Sequence, residues 1–174
     1  MIGIGATLFK IASVGGRGFS PASLFAGGER GAWYDPSDLS SMFQLSDGTV
    51  AAAVNQPVGY IADKSGNGNH AIQATATKRP ILKESGGLYY LEFDGVDDGL
   101  VSSSIDFTNN DEMSVFAGVR LDTAGTKAIA ELSASASSNT NTFRLTAISS
   151  NIWRYASRGD SALRNANANG YSVP

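Results

Sequence analysis

The stretch YLEFDGVDDGL, residues 90–100, decides the fold of this chain. Leu91 and Phe93 point to one side of an extended strand and the polar positions between them to the other, which is the period of a half-buried β-strand. Asp94-Gly95 then opens a tight turn and Asp98-Gly99 closes it, because Asp tolerates left-handed backbone angles and Gly adopts them freely. The pattern predicts a strand, an acidic turn and a second strand.

The composition agrees with an all-β protein. The chain has 174 residues, of which 20 are Gly, and only 17% are charged, which suits short strands joined by tight turns. A formal net charge of -3 gives no electrostatic footprint for nucleic acid, so we expect no nucleic-acid partner. The absence of Cys excludes disulfides and thiolate metal sites, so stability must come from sheet packing, a bound ion or oligomerisation.

Alternating segments predict about nine strands, mostly antiparallel because the connections are short. A short helical turn is expected across Leu39 to Phe43, capped by Ser37 or Asp38. Asn165 to Gly170 is expected to form a turn. The predicted strands are Val58 to Asp63, His70 to Thr75, Arg79 to Lys83, Leu88 to Asp94, Leu100 to Ser103, Met113 to Leu121, Lys127 to Ser133, Thr142 to Ser149 and Ile152 to Ser157.

Residues 1–30 are predicted to form an extended, glycine-rich arm. The segment lacks the basic start of a signal peptide, and nothing in the chain approaches the ~20 apolar residues of a membrane span. It is too short and too rich in Gly to build a core alone, so we expect it either to fray or to dock on a partner surface. The apolar side chains available for docking are Ile2, Ile4, Leu8, Phe9, Phe19 and Phe25.

A second glycine-rich turn, DKSGNGNHA, occupies residues 63–71. Together with FDGVDD at residues 93–98 it resembles the laminin-G/concanavalin A-like family, and the stretch from 31 to about 80 resembles tailed-bacteriophage virion proteins of that family. The resemblance implies an antiparallel concanavalin A-like jelly-roll β-sandwich over residues 31–174. That sandwich would be incomplete at its C-terminus.

The resemblance also implies a function. We expect a non-enzymatic virion protein, a tail fibre or appendage component assembled in the bacterial cytoplasm, whose arm attaches it to other virion proteins. The sandwich would recognise a host-surface glycan or contact neighbouring subunits. We also expect a homo-oligomer, and the resemblance implies a trimer, since phage fibres are commonly threefold. A ligand-free capsid or collar decoration protein remains an alternative.

Oxygen-bearing side chains offer a possible calcium site. Asp63, Ser65 and Asn67 match the opening of an EF-hand loop, but its twelfth position is Ala74 rather than Glu. Asp and Asn side chains also cap their own turns, and we favour that interpretation. The hard ligands available for structural calcium are Asp63, Asn67, Asp94, Asp97 and Asp98.

Three carboxylates invite comparison with retaining glycoside hydrolases built on the same sandwich. Glu92, Asp94 and Asp97 follow the pattern E-x-D-x-x-E, except that the last residue is one methylene shorter and Gly95 interrupts the strand. A polysaccharide depolymerase is therefore the alternative to a non-enzymatic protein, for which we expect no catalytic residue.

Four aromatic residues could stack on sugar rings. Trp33 and Tyr34 are adjacent, whereas Trp153 and Tyr155 lie two apart and so share one strand face. Such residues also serve as core. His70 is the single histidine, and no nucleophile motif surrounds it, so we expect it to pack or to stabilise its turn.

Overall fold

The computed structural model describes residues 2–4, 19–107, 114–122, 125–133, 142–149, 152–158 and 163–169. Within these residues the fold is all-β, and the paired strands run antiparallel, as the sequence predicts. The chain divides into two compact units, one of residues 3–118 and one of residues 119–174 with residues 1–2. The sequence predicts one sandwich domain over 31–174 and does not indicate this division.

The described strands are β1 (Ile2–Ile4), β2 (Met42–Phe43), β3 (Tyr60–Ile61), β4 (Ala71–Ile72), β5 (Ile81–Ser85), β6 (Leu88–Phe93), β7 (Val101–Ser102), β8 (Val119–Leu121), β9 (Lys127–Leu132), β10 (Thr142–Ser149), β11 (Ile152–Arg158) and β12 (Leu163–Asn169). The described part of the chain also contains short 3-10 helices at Pro21–Phe25, Leu39–Ser41 and Ala76–Lys78. No helix in the described ranges is long and apolar enough to cross a membrane.

The N-terminal unit is built around a four-stranded sheet in the order β2-β3-β4-β7. Met42, Ile61 and Ala71 stand opposite one another across three of its strands, and all three are buried. Because side chains alternate between the faces of a strand, this row defines the face that meets the core. The other buried apolar side chains of the cluster are Ala52, Val58, Leu82 and Leu91.

Strands β5 and β6 form a hairpin that contributes Leu82 and Leu91 to that core. Ser85 pairs with Leu88, so the connection is the two-residue turn Gly86-Gly87. Both glycines have positive φ, 61° and 82°, the conformation that a tight hairpin turn requires. The hairpin holds β6 in place directly before the acidic turn.

Strand β1 lies beside β6 in the sheet order. Residues 2–4 therefore run along a strand of the fold, which differs from the prediction that the whole of 1–30 extends away from the sandwich. An extended Ile-Gly-Ile segment satisfies its backbone groups by pairing with an available strand. Docking residues Leu8 and Phe9 fall outside the described residues.

The C-terminal unit contains a sheet in the order β12-β11-β10-β9. Strand β10 has the predicted bounds, and its Leu145, Thr146 and Ala147 are all buried, as expected of a strand covered on both faces. The turn predicted for Asn165 to Gly170 is wrong, because Leu163–Asn169 forms strand β12. This strand pairs along the full length of β11, so ladder hydrogen bonds override the turn preference of Asn.

The helical turn predicted for Leu39 to Phe43 is confirmed only in its first half. Leu39–Ser41 forms a 3-10 helix, and the Asp38 side chain accepts a hydrogen bond from the Ser40 amide, as a capping residue does. Met42 then takes an extended conformation and enters β2. The helix ends before Met42 because the Met42 side chain is buried in the core as part of β2.

Candidate functional site

The turn at residues 63–70, here the Asp63 turn, is organised around a buried carboxylate. One oxygen of Asp63 accepts hydrogen bonds from the amides of Trp33, at 2.8 Å, and Ser65, at 2.9 Å. The other accepts from the Ser65 hydroxyl, at 2.8 Å, and the Asn69 amide, at 2.9 Å. Four protein donors therefore fill the side chain that the sequence offered as a calcium ligand.

These hydrogen bonds also set the charge of Asp63. Burial opposes ionisation, but the hydrogen bonds from the amides of Trp33, Ser65 and Asn69 and from the Ser65 hydroxyl outweigh it, and the pKa lies below its usual value of 3.8. Asp63 is thus ionised, and its charge is stabilised by four hydrogen-bond donors, three from the turn and one from Trp33. This is the behaviour of a structural carboxylate.

Two asparagines of the Asp63 turn form hydrogen bonds with the segment of residues 29–31. The Asn67 side-chain amide donates to the carbonyls of Glu29, at 3.0 Å, and Gly31, at 3.2 Å. The Asn69 side-chain amide donates to the same Gly31 carbonyl, at 2.8 Å. The SGNGN sequence therefore connects a distant part of the chain to the fold.

His70 has the packing and turn-stabilising role predicted for it. Its Nδ1 accepts a hydrogen bond from the Asp63 amide at 3.1 Å, and its ring lies against that of Tyr60 with 5.1 Å between centroids. With Nδ1 acting as acceptor, the proton of the neutral ring is on Nε2. No described Ser or Asp completes a nucleophilic arrangement with it.

Lys64 forms an ion cluster that the sequence analysis missed. Its ammonium lies 3.0 Å from a carboxylate oxygen of Asp35 and 2.9 Å from one of Asp38, and 4.8 Å from the centre of the Trp33 ring. Burial acts to lower the pKa of Lys64, but Asp38 and Asp35 outweigh it and raise that pKa. No sequence signal could have found this cluster, since Asp35 and Lys64 meet only through folding.

The second turn, residues 94–99 or the Asp94 turn, is stabilised by side-chain to main-chain hydrogen bonds of Asp94 and Asp98, as predicted for these two residues. Asp94 Oδ1 accepts hydrogen bonds from the amides of Val96, Asp97 and Asp98, at 2.8, 3.2 and 3.3 Å. Asp98 Oδ2 accepts from the Asp94 amide at 2.9 Å. Gly95 supplies the positive φ of 74° that the turn requires, whereas Gly99 is not among the residues with positive φ.

Asp94, Asp97 and Asp98 are the described group that could hold a metal ion, with one oxygen from each lying within 4.8 Å of the others. The structure thus brings together three of the five predicted calcium ligands. Asp63 and Asn67 are not part of the group, because their polar atoms are used in the other turn. Burial, and then the charges of Asp94 and Asp97, raise the pKa of Asp98.

The three carboxylates of the hydrolase-like pattern each interact with groups of the protein itself. Glu92 lies 3.5 Å from the ammonium of Lys83 on the adjacent strand, and Asp97 lies 3.4 Å from that of Lys78. Asp94 is the acceptor of its turn. Glu92 and Asp97 therefore form ion pairs, and Asp94 caps backbone amides.

The four predicted aromatic residues fall in two different units. Trp33 and Tyr34 belong to the N-terminal unit, where both are half-buried. The Tyr34 hydroxyl donates to the Asn69 carbonyl, and burial raises the pKa of Tyr34 to about 12 against a lowering hydrogen bond with Ser102. Tyr34 is therefore part of the packing, and Trp33 is covered on one face by Lys64.

Trp153 and Tyr155 lie in the C-terminal unit on β11, in the register expected for one face. Tyr155 is 44% exposed, and its ring lies 6.4 Å from that of Phe143 between centroids. The side chain of Trp153 lies outside the described residues. Among the described side chains of the four predicted sugar-stacking residues, that of Tyr155 is the most exposed, so a sugar ring could stack on it.

The predicted docking residues next to the fold differ in their surroundings. Phe19 is 70% exposed, whereas the ring of Phe25 lies over Gly31, where an added Cβ would meet it at 3.0 Å. Arg30 forms a 2.7 Å ion pair with Asp106. Residues 25–31 are thus attached to the N-terminal unit, and Phe19 remains available to a partner.

No family model matches the chain, and no curated protein matches it. A similar solved structure is the crystal structure of residues 221–444 of an S-layer domain-containing protein from Clostridium thermocellum, with 26% sequence identity and a TM-score of 0.53. The similarity covers 83% of this chain and 59% of that chain, so this chain spans less than two thirds of the length of the solved one. This structural similarity is consistent with the all-β fold of the present chain.

Proposed function

We propose that this chain is a non-enzymatic structural and binding component of a surface assembly, in the first place a tail fibre or appendage of a bacteriophage virion. The observation that most supports a non-enzymatic role is that Asp94 accepts hydrogen bonds from three amides of its own turn. The aspartate at the centre of the hydrolase-like pattern is a structural element of the fold.

A retaining hydrolase needs one carboxylate free to attack the sugar and a second that carries a proton to the leaving group. In this chain Glu92 lies 3.5 Å from the ammonium of Lys83, and Asp97 lies 3.4 Å from that of Lys78. Each of these two carboxylates is thus held in an ion pair with a lysine of the chain itself. A polysaccharide depolymerase is therefore the less favoured alternative.

For the binding role, we propose that the chain has a jelly-roll β-sandwich fold whose surface contacts a host-surface glycan or a neighbouring subunit. The exposed ring of Tyr155 is a suitable platform, because an aromatic face combines apolar area with a polar hydroxyl. The N-terminal residues, including the exposed Phe19, would attach the protein to other virion proteins. A calcium ion at the Asp94 turn would be structural.

The similar solved structure suggests a second setting for the same non-enzymatic role. Its name assigns that protein an S-layer domain, so a cell-surface layer is a candidate assembly for this chain as well. A ligand-free capsid or collar decoration protein is the third setting. In all three settings the chain acts as a structural module. The settings differ in whether the chain binds a glycan.

A glycan array of bacterial lipopolysaccharide and capsule fragments tests the binding role. We expect the wild-type chain to bind a subset, and Tyr155→Ala to weaken that binding by about tenfold, since a stacked ring contributes roughly 1 kcal/mol beyond its buried area. Phe116→Ala is the matched control, because Phe116 is 79% exposed and belongs to the other unit. Binding to no glycan would leave the decoration role.

A further inference from the structure

Asn67 and Gly68 form an exposed Asn-Gly pair at the tip of the Asp63 turn. Gly68 has φ of +74°, and a Cβ added there would meet nothing within 4 Å. The backbone amide that follows Asn67 is therefore not shielded by a side chain of its own residue. The Asn67 side-chain amide meanwhile holds the carbonyls of Glu29 and Gly31.

We propose that Asn67 is a site of self-modification by deamidation, and that the modification loosens the attachment of residues 29–31 to the Asp63 turn. The inference rests on the contacts of Asn67 and does not depend on the proposed function. Asparagine is among the chemically labile residues of proteins. A following glycine leaves its own amide nitrogen accessible because it has no side chain.

The reaction needs only water. The Gly68 amide nitrogen gives its proton to a solvent base and attacks the side-chain carbonyl carbon of Asn67. The bond from that carbon to Nδ2 breaks, and the nitrogen takes up a proton and leaves as ammonia. Water then opens the resulting five-membered succinimide at one carbonyl or the other, which gives aspartate or isoaspartate.

The product reverses the interactions that Asn67 makes. The amide nitrogen that donates to the Glu29 and Gly31 carbonyls is replaced by a carboxylate oxygen, which can only accept. Two attractive contacts become repulsive, and a negative charge is added beside two carbonyl oxygens. Asn69 and the Ser65 hydroxyl still donate to the Gly31 carbonyl, and Arg30 keeps its ion pair with Asp106, so the segment is loosened but stays attached.

Peptide mapping by mass spectrometry during storage at mildly alkaline pH tests the first part of the proposal. Asn69 is the matched internal control, since it bonds to the same Gly31 carbonyl but is followed by His70 rather than Gly. We expect Asn67 to convert at least about tenfold faster than Asn69, because the side chain of His70 hinders attack by its amide. Equal rates, or no conversion at Asn67, would overturn the assignment.

Hydrogen exchange of residues 26–34 tests the second part. In Asn67→Asp, which mimics the product, we expect exchange of the Trp33 amide to rise by about tenfold or more, because the segment leading into it loses two hydrogen bonds and its own bond to Asp63 opens more often. Asn67→Gln keeps a donor and cannot form the five-membered ring, so it should resist ageing. Unchanged exchange in Asn67→Asp, with the fold intact by circular dichroism, would show that Asn67 does not hold the segment.

Discussion

The carboxylate of Asp63 accepts a 2.8 Å hydrogen bond from the main-chain amide of Trp33, thirty residues earlier in the chain. The Lys64 amide next to Asp63 returns a hydrogen bond to the Trp33 carbonyl, also at 2.8 Å. A turn that the sequence presents as a local feature is thus a long-range connection. The segment that precedes the sheet is positioned by it.

Asp63→Ala should destabilise the N-terminal unit by about 1–3 kcal/mol, because amides of Trp33, Ser65 and Asn69 lose a buried acceptor. Urea denaturation followed by tryptophan fluorescence measures the loss. Asp47→Ala is the matched control, since Asp47 caps only its own exposed turn through Thr49. A larger loss in the control than in Asp63→Ala would contradict the role of Asp63.

Stability should fall in acid. The pKa values of Asp35, Asp38 and Asp63 are lowered from 3.8 in the folded protein, in each case because hydrogen bonds outweigh burial. A lowered folded-state pKa adds stability above the unfolded value, and that stability is lost as the pH falls through the folded values. We expect the free energy of unfolding to decline below about pH 4.

Asp98 should have the opposite effect, because burial and the charges of Asp94 and Asp97 raise its pKa. Its contribution is present below the unfolded value of 3.8 and is lost as the pH rises through the raised folded value. Asp98→Asn keeps an acceptor for the Asp94 amide and removes the charge. At neutral pH this variant should be at least as stable as wild type, and a clear loss would point to a bound cation instead.

The two hairpin strands offer a test of the core. Leu82 is fully buried and Leu88 is 60% exposed, although both lie in the same hairpin. Leu82→Ala should cost about 2–5 kcal/mol through lost burial and a cavity, and Leu88→Ala less than about 0.5 kcal/mol. Chemical denaturation of the two variants compares them directly. Similar losses would show that Leu82 does not lie in the core.

How far the sequence predicts the structure depends on whether a feature is local. Strand β10 and the Asp94 turn were predicted because alternation and Asp-Gly chemistry act within a few residues. Strand β12 was missed because its Asn residues favour turns unless a partner strand is present. The Lys64 cluster and the partners of Asn67 could not be predicted, since they join residues about thirty apart or more.

The assembly should be a homo-oligomer, and the family resemblance suggests a trimer. Phe19 is exposed, and ordering a glycine-rich segment costs backbone entropy that burial against other chains would offset. Native mass spectrometry of the chain gives the copy number. A monomer that is incorporated singly into particles would contradict the trimer and leave the segment as an independent anchor.

The most direct test of the central claim is the release of reducing ends from purified capsule or lipopolysaccharide by the wild-type chain. If Glu92, Asp94 and Asp97 are structural, no oligosaccharide is released, and Asp94→Ala lowers stability by about 1 kcal/mol without any hydrolytic activity to lose. Release that is abolished by Glu92→Gln or Asp97→Asn in folded protein would contradict the account and identify the chain as a depolymerase.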